Sequence, residues 1–267
     1  MKRLVALILF LLAAISFAKF DQNRLIIAGS SCMGRMMTAI TERYSAETGV
    51  LAQAQLGGTQ LGLIALRQGA CDIASVSRPL NEEEKQWALS FPIAIDAIAV
   101  IVHPKNEVNA LSVEQLREIY SGEADNWAQL GGSDMPIVVI GRESGSGTRA
   151  AFEQAAGVLL ARHDQEHSET GMLRTAVSMT EGAIGYISFD FITDDVKPLA
   201  LNGVIPNEKT VLAGEYPITR EFLLCVKKET QNEGISEFLR YCRGEKGKSI
   251  IKSLGMIPFY GEKSDAP

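Results

Sequence analysis

The stretch Gly-Arg-Glu-Ser-Gly-Ser-Gly-Thr-Arg at residues 141–149 follows the apolar run Pro136–Ile140 and leads into a helical pattern from about Thr148. This order predicts a buried strand, a glycine-rich turn at its carboxyl end, and a helix. The first N–H groups of a helix have no intrahelical partner and lie at the positive end of its dipole. Glycine lets the backbone approach a ligand, Ser and Thr add hydroxyl donors, and Arg can hold an oxyanion through two parallel hydrogen bonds. The stretch therefore predicts an anion-binding turn.

Two earlier turns have a similar composition. Gly29-Ser30-Ser31 follows the apolar run Leu25–Ala28, and Gly57-Gly58-Thr59 follows a strand-like stretch at residues 50–56. Each precedes a helical pattern, and each alone is also typical of ordinary helix N-capping by Ser or Thr. The turn Gly145-Ser146-Gly147-Thr148 differs, because it carries two glycines and two hydroxyls and is flanked by Arg142 and Arg149, and this favours anion binding. It lacks the lysine and spacing of a P-loop, and no βαβ unit with a matching acid supports a dinucleotide fingerprint.

Strand and helix patterns joined by short turns recur along the rest of the chain. They predict an α/β protein with mostly parallel sheets and a ligand at the carboxyl ends of the strands. No Pro- or Ser-rich linker marks a domain boundary. Any crossing between two lobes is therefore expected inside extended segments, near His103-Pro104 and near Pro217–Arg220.

Composition excludes several other classes of protein. The 267 residues are 46% hydrophobic and 22% charged, which is enough apolar material for one large domain or two smaller ones. Lys and Arg number 26 against 32 Asp and Glu, a net charge of −6. Because nucleic acids are bound by basic surfaces, this balance argues against a nucleic-acid partner.

The first eighteen residues have the pattern of a secretory signal peptide. A positive Met1-Lys2-Arg3 precedes the apolar run Leu4–Ile15, and Ser16-Phe17-Ala18 supplies small residues before Lys19. The alternative, a membrane anchor, requires about 20 apolar residues, and this run is shorter. Cys32 lies too far beyond the apolar run to accept a lipid. We expect cleavage before Lys19 and export to the periplasm.

The chain has four cysteines, Cys32, Cys71, Cys225 and Cys242. Export permits two disulfides in three possible pairings. In the apolar surroundings that all four positions have, a buried free thiol is the commoner state. The sequence leaves their state open.

Several segments together resemble the short form of the periplasmic phosphate-binding proteins that serve phosphate ABC transporters, and the resemblance covers nearly the whole exported chain. The segments that carry it are residues 141–149, Leu111–Gly122, Asn126-Trp127, Gly182-Ala-Ile-Gly-Tyr186, Gly57-Gly58-Thr59 and Asp72–Leu80. The resemblance implies a two-lobed type II periplasmic-binding-protein fold, in which each lobe is a mostly parallel sheet flanked by helices. It implies one lobe from residues 19–102 and 221–267, a second from 103–220, and a ligand in the cleft between them.

The resemblance also implies the ligand and the residues that bind it. One dehydrated inorganic phosphate is expected, with Arg142 as its charge partner. The expected phosphate-binding residues are Ser30, Ser31, Cys32, Thr59, Ser77, Arg78, Arg142, Ser146, Gly147 and Thr148. Well-studied longer members have a carboxylate where Ser77 stands, and a carboxylate accepts the proton of monohydrogen phosphate and repels sulfate. Because a serine cannot repel sulfate, selectivity among tetrahedral oxyanions stays open.

The resemblance further implies a monomeric binding protein rather than an enzyme, with no catalytic residue, metal or cofactor, and an inner-membrane ABC permease as its partner. Two enzymatic alternatives remain. His163-Asp-Gln-Glu-His167 matches the His-x-x-Glu-His spacing of some metallohydrolases, although the surrounding segment is simply polar. An exported phosphatase would need a base beside a nucleophile, and no histidine is close in sequence to the three turns.

Overall fold

A computed structural model of the chain describes residues 24–158 and 160–261. The expected signal peptide, residues 1–18, lies outside these residues. Within the described ranges, no helix combines the length and the apolar character that crossing a membrane requires.

Helices and strands alternate along most of the described chain. The helices are α1 Gly34–Thr48, α2 Thr59–Gln68, α3 Glu82–Trp87, α4 Val113–Ser121, α5 Gly147–Ala156, α6 Thr170–Met179, α7 Glu208–Leu212, α8 Glu233–Arg243 and α9 Glu245–Ser253. The strands are β1 Arg24–Gly29, β2 Leu51–Leu56, β3 Ile73–Val76, β4 Ala88–Val102, β5 Ala110–Leu111, β6 Val138–Arg142, β7 Gln165–His167, β8 Ala183–Ser188, β9 Lys197–Pro198, β10 Ala200–Leu201, β11 Thr219–Lys227 and β12 Ile257–Pro258. The order confirms the α/β fold class.

A continuous mixed sheet runs through both lobes in the order β2-β1-β3-β11-β4-β8-β6-β7. In the first lobe β1 pairs in parallel with β2 and β3, and in the second β6 pairs in parallel with β8 and β7. The antiparallel pairings along this order involve the two strands at its centre, β4 and β11. Each lobe thus has a set of parallel strands with one antiparallel neighbour at its inner side. That neighbour is β11 in the first lobe and β4 in the second.

The long strand β4 belongs to both lobes. It pairs with β11 from Ala88 to Ala97 and with β8 from Ile98 onward, so it changes partner between Ala97 and Ile98. On the return path, the Ile98 N–H donates to the Ile218 carbonyl at 2.9 Å. We therefore propose that the chain crosses at 97–98 and near 218–219, five residues before the first expected boundary. The division into lobes at 102–103 stays a prediction.

Each lobe has its own apolar core. Met36, Ile40 and Tyr44 of α1 pack with Phe238 of α8 in the first lobe, and Tyr44 and Phe238 meet edge-to-face with centroids 5.0 Å apart. In the second lobe Tyr120, Trp127, Phe152 and Tyr186 form the centre of the core, and the last two rings stack at 4.1 Å. Separate cores allow the lobes to move as units about the β4–β11 crossing.

The cysteines, whose pairing the sequence left open, are all buried free thiols. Burial raises the pKa of the Cys71 thiol to about 11 and also raises the pKa values of Cys225 and Cys242. These thiols pack as small apolar groups.

Candidate functional site

Hydroxyls from three turns of the first lobe meet at Ser77. The Ser30 Oγ donates to the Ser77 Oγ at 2.8 Å, and the Thr59 Oγ1 lies 3.2 Å from the same oxygen. The Ser77 N–H donates to the Thr59 Oγ1 at 3.2 Å. Ser30, Thr59 and Ser77 are buried. Three sequence-predicted residues from separate turns are therefore brought together at the carboxyl ends of β1, β2 and β3.

Close backbone packing sets the position of the first turn. Gly29 has a φ of +143°, and a Cβ built on it would lie 2.1 Å from the Ser75 carbonyl oxygen. The next residue, Ser30, donates its N–H to the same carbonyl at 2.9 Å. Only glycine permits this approach of β1 to β3, and the approach directs the Ser30 hydroxyl toward Ser77.

Arg142, at the end of β6, is the charged residue of the site and is buried. Its guanidinium donates to both carboxylate oxygens of Glu143, from Nε at 3.0 Å and from Nη2 at 3.1 Å. It also donates from Nη1 to the Thr170 Oγ1 at 3.0 Å, and from Nε to the His167 carbonyl at 3.1 Å. These contacts hold the guanidinium in one orientation, and Glu143 offsets part of its charge.

The two lobes meet at the predicted anion turns. The Arg142 Nη2 donates to the Ser31 Oγ at 3.2 Å, and the Gln60 N–H donates to the Gly145 carbonyl at 3.2 Å. A Cβ on Gly147 would lie 2.4 Å from the Ser77 Oγ and 2.4 Å from the Thr59 Oγ1. The start of α5 therefore faces the hydroxyl cluster of the first lobe at close range.

The two hydroxyls that flank Gly147 have different partners. The Ser146 Oγ caps α5 by accepting from the Arg149 N–H at 3.3 Å. Thr148 is 1% exposed, and its Oγ1 has no hydrogen-bond partner. A buried hydroxyl without a partner is costly, and a bound acceptor beside the α5 N-terminus would satisfy it.

The side chains of two expected site residues, Arg78 and Cys32, make contacts of their own. The Arg78 guanidinium forms a two-fold ion pair with Glu84 at 2.7 and 2.8 Å and does not reach the hydroxyl cluster. Glu84 is held in place for this pair by a capping box, in which the Asn81 side chain accepts from the Glu84 N–H and the Glu84 carboxylate accepts from the Asn81 N–H. The Cys32 side chain is buried beneath the site, with its Sγ 3.1 Å from the Ser30 Oγ.

Sequence reasoning missed a second buried arginine. Arg220, on β11, forms an ion pair with Asp96 of β4 at 2.7 Å, and each side chain is 1% exposed. It also donates from Nη1 to the Ser77 carbonyl at 3.1 Å. The available signal was a charged residue within each of two largely apolar strand patterns, because such a residue needs a partner when it is buried.

In the segment His163–His167, which matches the spacing of some metallohydrolases, two of the motif residues contact other side chains. The Glu166 carboxylate pairs with the Arg149 guanidinium at 2.6 Å, and the His163 Nδ1 lies 3.4 Å from the same Glu166 oxygen. Burial lowers the pKa of His163, which favours the neutral imidazole. Across residues 24–158 and 160–261, no group of three or more His, Cys, Asp and Glu could hold a metal ion.

Comparisons with known proteins agree on one family. The model of the PBP superfamily domain matches residues 19–245. Phosphate-binding protein PstS from Bacillus subtilis (strain 168) is 34% identical over 242 residues, which cover 88% of this chain and 80% of that protein.

Solved structures give the same result. A phosphate ABC transporter substrate-binding protein from Clostridium perfringens, solved with bound phosphate, aligns with a TM-score of 0.83 and 34% identity over 88% of this chain and 99% of the other. An ABC-type phosphate transport receptor from Vibrio cholerae aligns with a TM-score of 0.76 and 31% identity over 87% and 99% of the two chains.

Proposed function

The chain belongs to the PstS phosphate-binding proteins of the PBP superfamily, and we propose from this membership that it binds inorganic phosphate between its lobes for import by an ABC permease. It is a binding protein rather than an enzyme. The ligand favours the closed arrangement, because groups from both lobes contact it only when the cleft is shut.

The observation that carries this function is the meeting of the two lobes at their anion turns. Arg142 reaches Ser31 across the cleft, while Gly147 lies against Ser77 and Thr59. Phosphate has four oxygens in a tetrahedron, so donors must approach it from several directions. Hydroxyls and helix N-terminal amides from both lobes, with a buried guanidinium, match that requirement.

The net charge of −6 does not oppose binding of an anion. Charges on the distant surface are screened within about 8–10 Å at physiological ionic strength, whereas donors in a closed cleft act through a medium of low polarity. The local dipoles and Arg142 therefore determine the affinity.

The full proposed set of phosphate contacts includes Ser146 and the amide of Cys32 beside the residues described above. We leave Arg78 out of this set, because Glu84 occupies its guanidinium. We further propose a periplasmic, monomeric protein, exported through residues 1–18, whose partner is the inner-membrane permease complex.

Titration calorimetry of dialysed protein that begins at Lys19 tests the proposal. We expect phosphate to bind with micromolar or tighter affinity, about −8 kcal/mol or better, and sulfate to bind at least about tenfold more weakly. Arg142→Ala should abolish most phosphate binding, because the cleft would lose its charge partner. Arg174→Ala removes a half-buried arginine of α6 that pairs with Asp195 at 3.5 Å, and it should bind as wild type does.

The outcomes separate the alternatives. Equal affinities for phosphate and sulfate would indicate a general receptor for tetrahedral oxyanions. Full binding by Arg142→Ala would place the site elsewhere, and no binding of either anion by the wild type would contradict the proposed function.

A further inference from the structure

The buried ion pair between Arg220 and Asp96 lies directly beneath the first-lobe hydroxyls. Arg220 donates from Nε to the Asp96 Oδ2 at 2.8 Å, and the Arg220 Nη2 is 2.7 Å from the same oxygen. Arg220 on β11 and Asp96 on β4 are directly opposite each other in the sheet. The pair is far from solvent, so its electrostatic effect on its neighbours is little screened.

The remaining donors of Arg220 go to the two turns that carry first-lobe hydroxyls. Its Nη1 donates to the Ser77 carbonyl at 3.1 Å, and its Nη2 lies 3.4 Å from the Cys32 Sγ. The Cys32 Sγ is in turn 3.1 Å from the Ser30 Oγ, which donates to the Ser77 Oγ. One guanidinium therefore spans both turns and fixes their separation.

Asp96 connects this arrangement to the second lobe. Its Oδ1 lies 2.6 Å from the Ser188 Oγ, at the end of β8. Asp96 is also one residue before Ala97, the last residue of β4 that pairs with β11. The Arg220–Asp96 pair thus links the first-lobe turns to the point where the chain crosses between the lobes.

A contribution to folding stability does not by itself explain why the Arg220–Asp96 ion pair is buried here. Replacing a buried ion pair with apolar residues is often neutral or stabilising, because two charges must lose their hydration when the protein folds. A role in geometry explains why the guanidinium also contacts both turns, since the planar fork of arginine has donors in fixed directions.

We propose that Arg220 is a positioning residue, which holds the Ser30–Cys32 and Ser77 turns in register for phosphate and couples them to the lobe crossing through Asp96. This inference rests on the proposed function. Arg220 acts through the two turns and has no assigned contact with the anion itself.

The test compares phosphate affinities by calorimetry in variants of the full exported chain. Arg220→Lys keeps the charge but cannot contact Asp96 and both turns at once, and we expect phosphate binding to weaken at least about tenfold. The double variant Asp96→Asn with Arg220→Met removes both charges together, so it folds without an unpaired buried charge, and it should weaken binding to a similar degree. This second variant decides the matter if Arg220→Lys does not fold.

Tyr216→Phe is the matched control. The Tyr216 hydroxyl donates to the Ile98 carbonyl at 3.0 Å, so the variant removes a buried hydrogen bond at the same lobe crossing without touching either turn. It should lose stability and keep phosphate affinity within about twofold of wild type, a change of less than about 0.5 kcal/mol.

A double-mutant cycle supplies a readout that general destabilisation does not move. Ser30→Ala should cost less affinity in the Arg220→Lys background than in wild type, because its turn is already displaced. Thr148→Val, in the other lobe, should cost the same factor in both backgrounds.

Affinities within about twofold of wild type in both Arg220 variants, or equal Ser30→Ala costs in both backgrounds, would overturn the positioning role. Failure of the wild type to bind phosphate would instead contradict the proposed function, so the two failures are distinguishable.

Discussion

Gly147 lies where the second lobe approaches the first, and a methyl group there would collide with two hydroxyls. A Cβ would be 2.4 Å from both the Ser77 Oγ and the Thr59 Oγ1. Its backbone is helical and has no positive φ, so alanine is compatible with the local fold. The need for glycine arises from the closed arrangement of the lobes.

Gly147→Ala should therefore impair closure more than folding. We expect phosphate affinity to fall by about 5- to 150-fold, which corresponds to the usual 1–3 kcal/mol cost of overpacking. Thermal unfolding without phosphate should change little. Calorimetry and thermal denaturation measure the two effects.

Gly171→Ala is a suitable control, because a Cβ there would meet nothing within 4 Å and the residue is also near the start of a helix. It should bind phosphate as wild type does. Unchanged affinity in Gly147→Ala would show that the lobes do not approach this closely when phosphate binds.

At the scale of helices and strands, the sequence predicted the parts of the site that depend on local pattern. The strand–turn–helix segment at 141–149 became β6, the turn and α5, because glycines, hydroxyls and apolar periodicity act over a few residues. Ser30 and Thr59 were expected from their glycine turns, whereas Ser77 was expected only from the family resemblance, and parallel strands that end at one edge of the sheet bring the three together. Arg220 and Asp96 are 124 positions apart, and no local pattern reports such a pairing.

The turn between β3 and α3 explains the different position of Arg78. Its side chain is 15% exposed and its partner Glu84 is 8% exposed, within a capping box that begins at Asn81. The helix start was predictable, but the direction of the arginine was not, because its partner Glu84 lies six positions along the chain on the following helix.

Arg78→Met should accordingly affect the fold more than the ligand. We expect the free energy of unfolding to fall by about 1–3 kcal/mol, because Glu84 loses its charged partner. Phosphate affinity should stay within about twofold of wild type. Urea denaturation and calorimetry on the same sample measure both quantities.

Arg67→Met removes a nearby exposed pair with Glu83, whose side chains are 62% and 70% exposed. It should change stability by less than about 0.5 kcal/mol. A large loss of phosphate affinity in Arg78→Met, with stability retained, would return Arg78 to the binding site.

At the scale of the whole molecule, the lobe crossing contains a second carboxyl, Asp190, whose side chain is 1% exposed. The Ser188 Oγ lies 2.6 Å from an oxygen of Asp190 and 2.6 Å from an oxygen of Asp96. One hydroxyl has one proton and can donate to only one of these carboxyls. The other contact therefore requires a proton on a carboxyl.

Asp190 is the better holder of that proton. Asp96 has Arg220 at 2.7 Å, whereas the Asp190 Oδ2 has no hydrogen-bond partner and is 3.6 Å from the largely exposed Arg35 of α1. Burial, followed by repulsion from Asp96, raises the pKa of Asp190 to about 7, although Ser188, Arg35 and Arg220 oppose this shift.

The sign of the pH effect follows from this raised pKa. The folded protein keeps a proton on Asp190 that the unfolded chain releases near pH 4, so the contribution of Asp190 to folding stability is highest below that value and falls as the pH rises to about 7. Between pH 5 and 8 this group should cost wild type about 2–3 kcal/mol. In the Asp190→Asn variant this side chain is uncharged at every pH, so the variant should not lose this amount of folding stability.

Urea unfolding at pH 5, 6, 7 and 8 measures the difference in stability between wild type and Asp190→Asn. We expect that difference to shift toward Asp190→Asn as the pH rises, whereas Asp194→Asn, an exposed carboxyl in the following loop, should run parallel to wild type. Parallel curves for Asp190→Asn would mean that the carboxyl is ionised in the folded protein and that Ser188 donates to it. Because Ser188 and Asp190 belong to the second lobe and Asp96 is paired with Arg220, such a result would also leave the lobe crossing with two adjacent negative charges. Arg220 would then have to balance both charges at every pH from 5 to 8, and this balance would not change with pH.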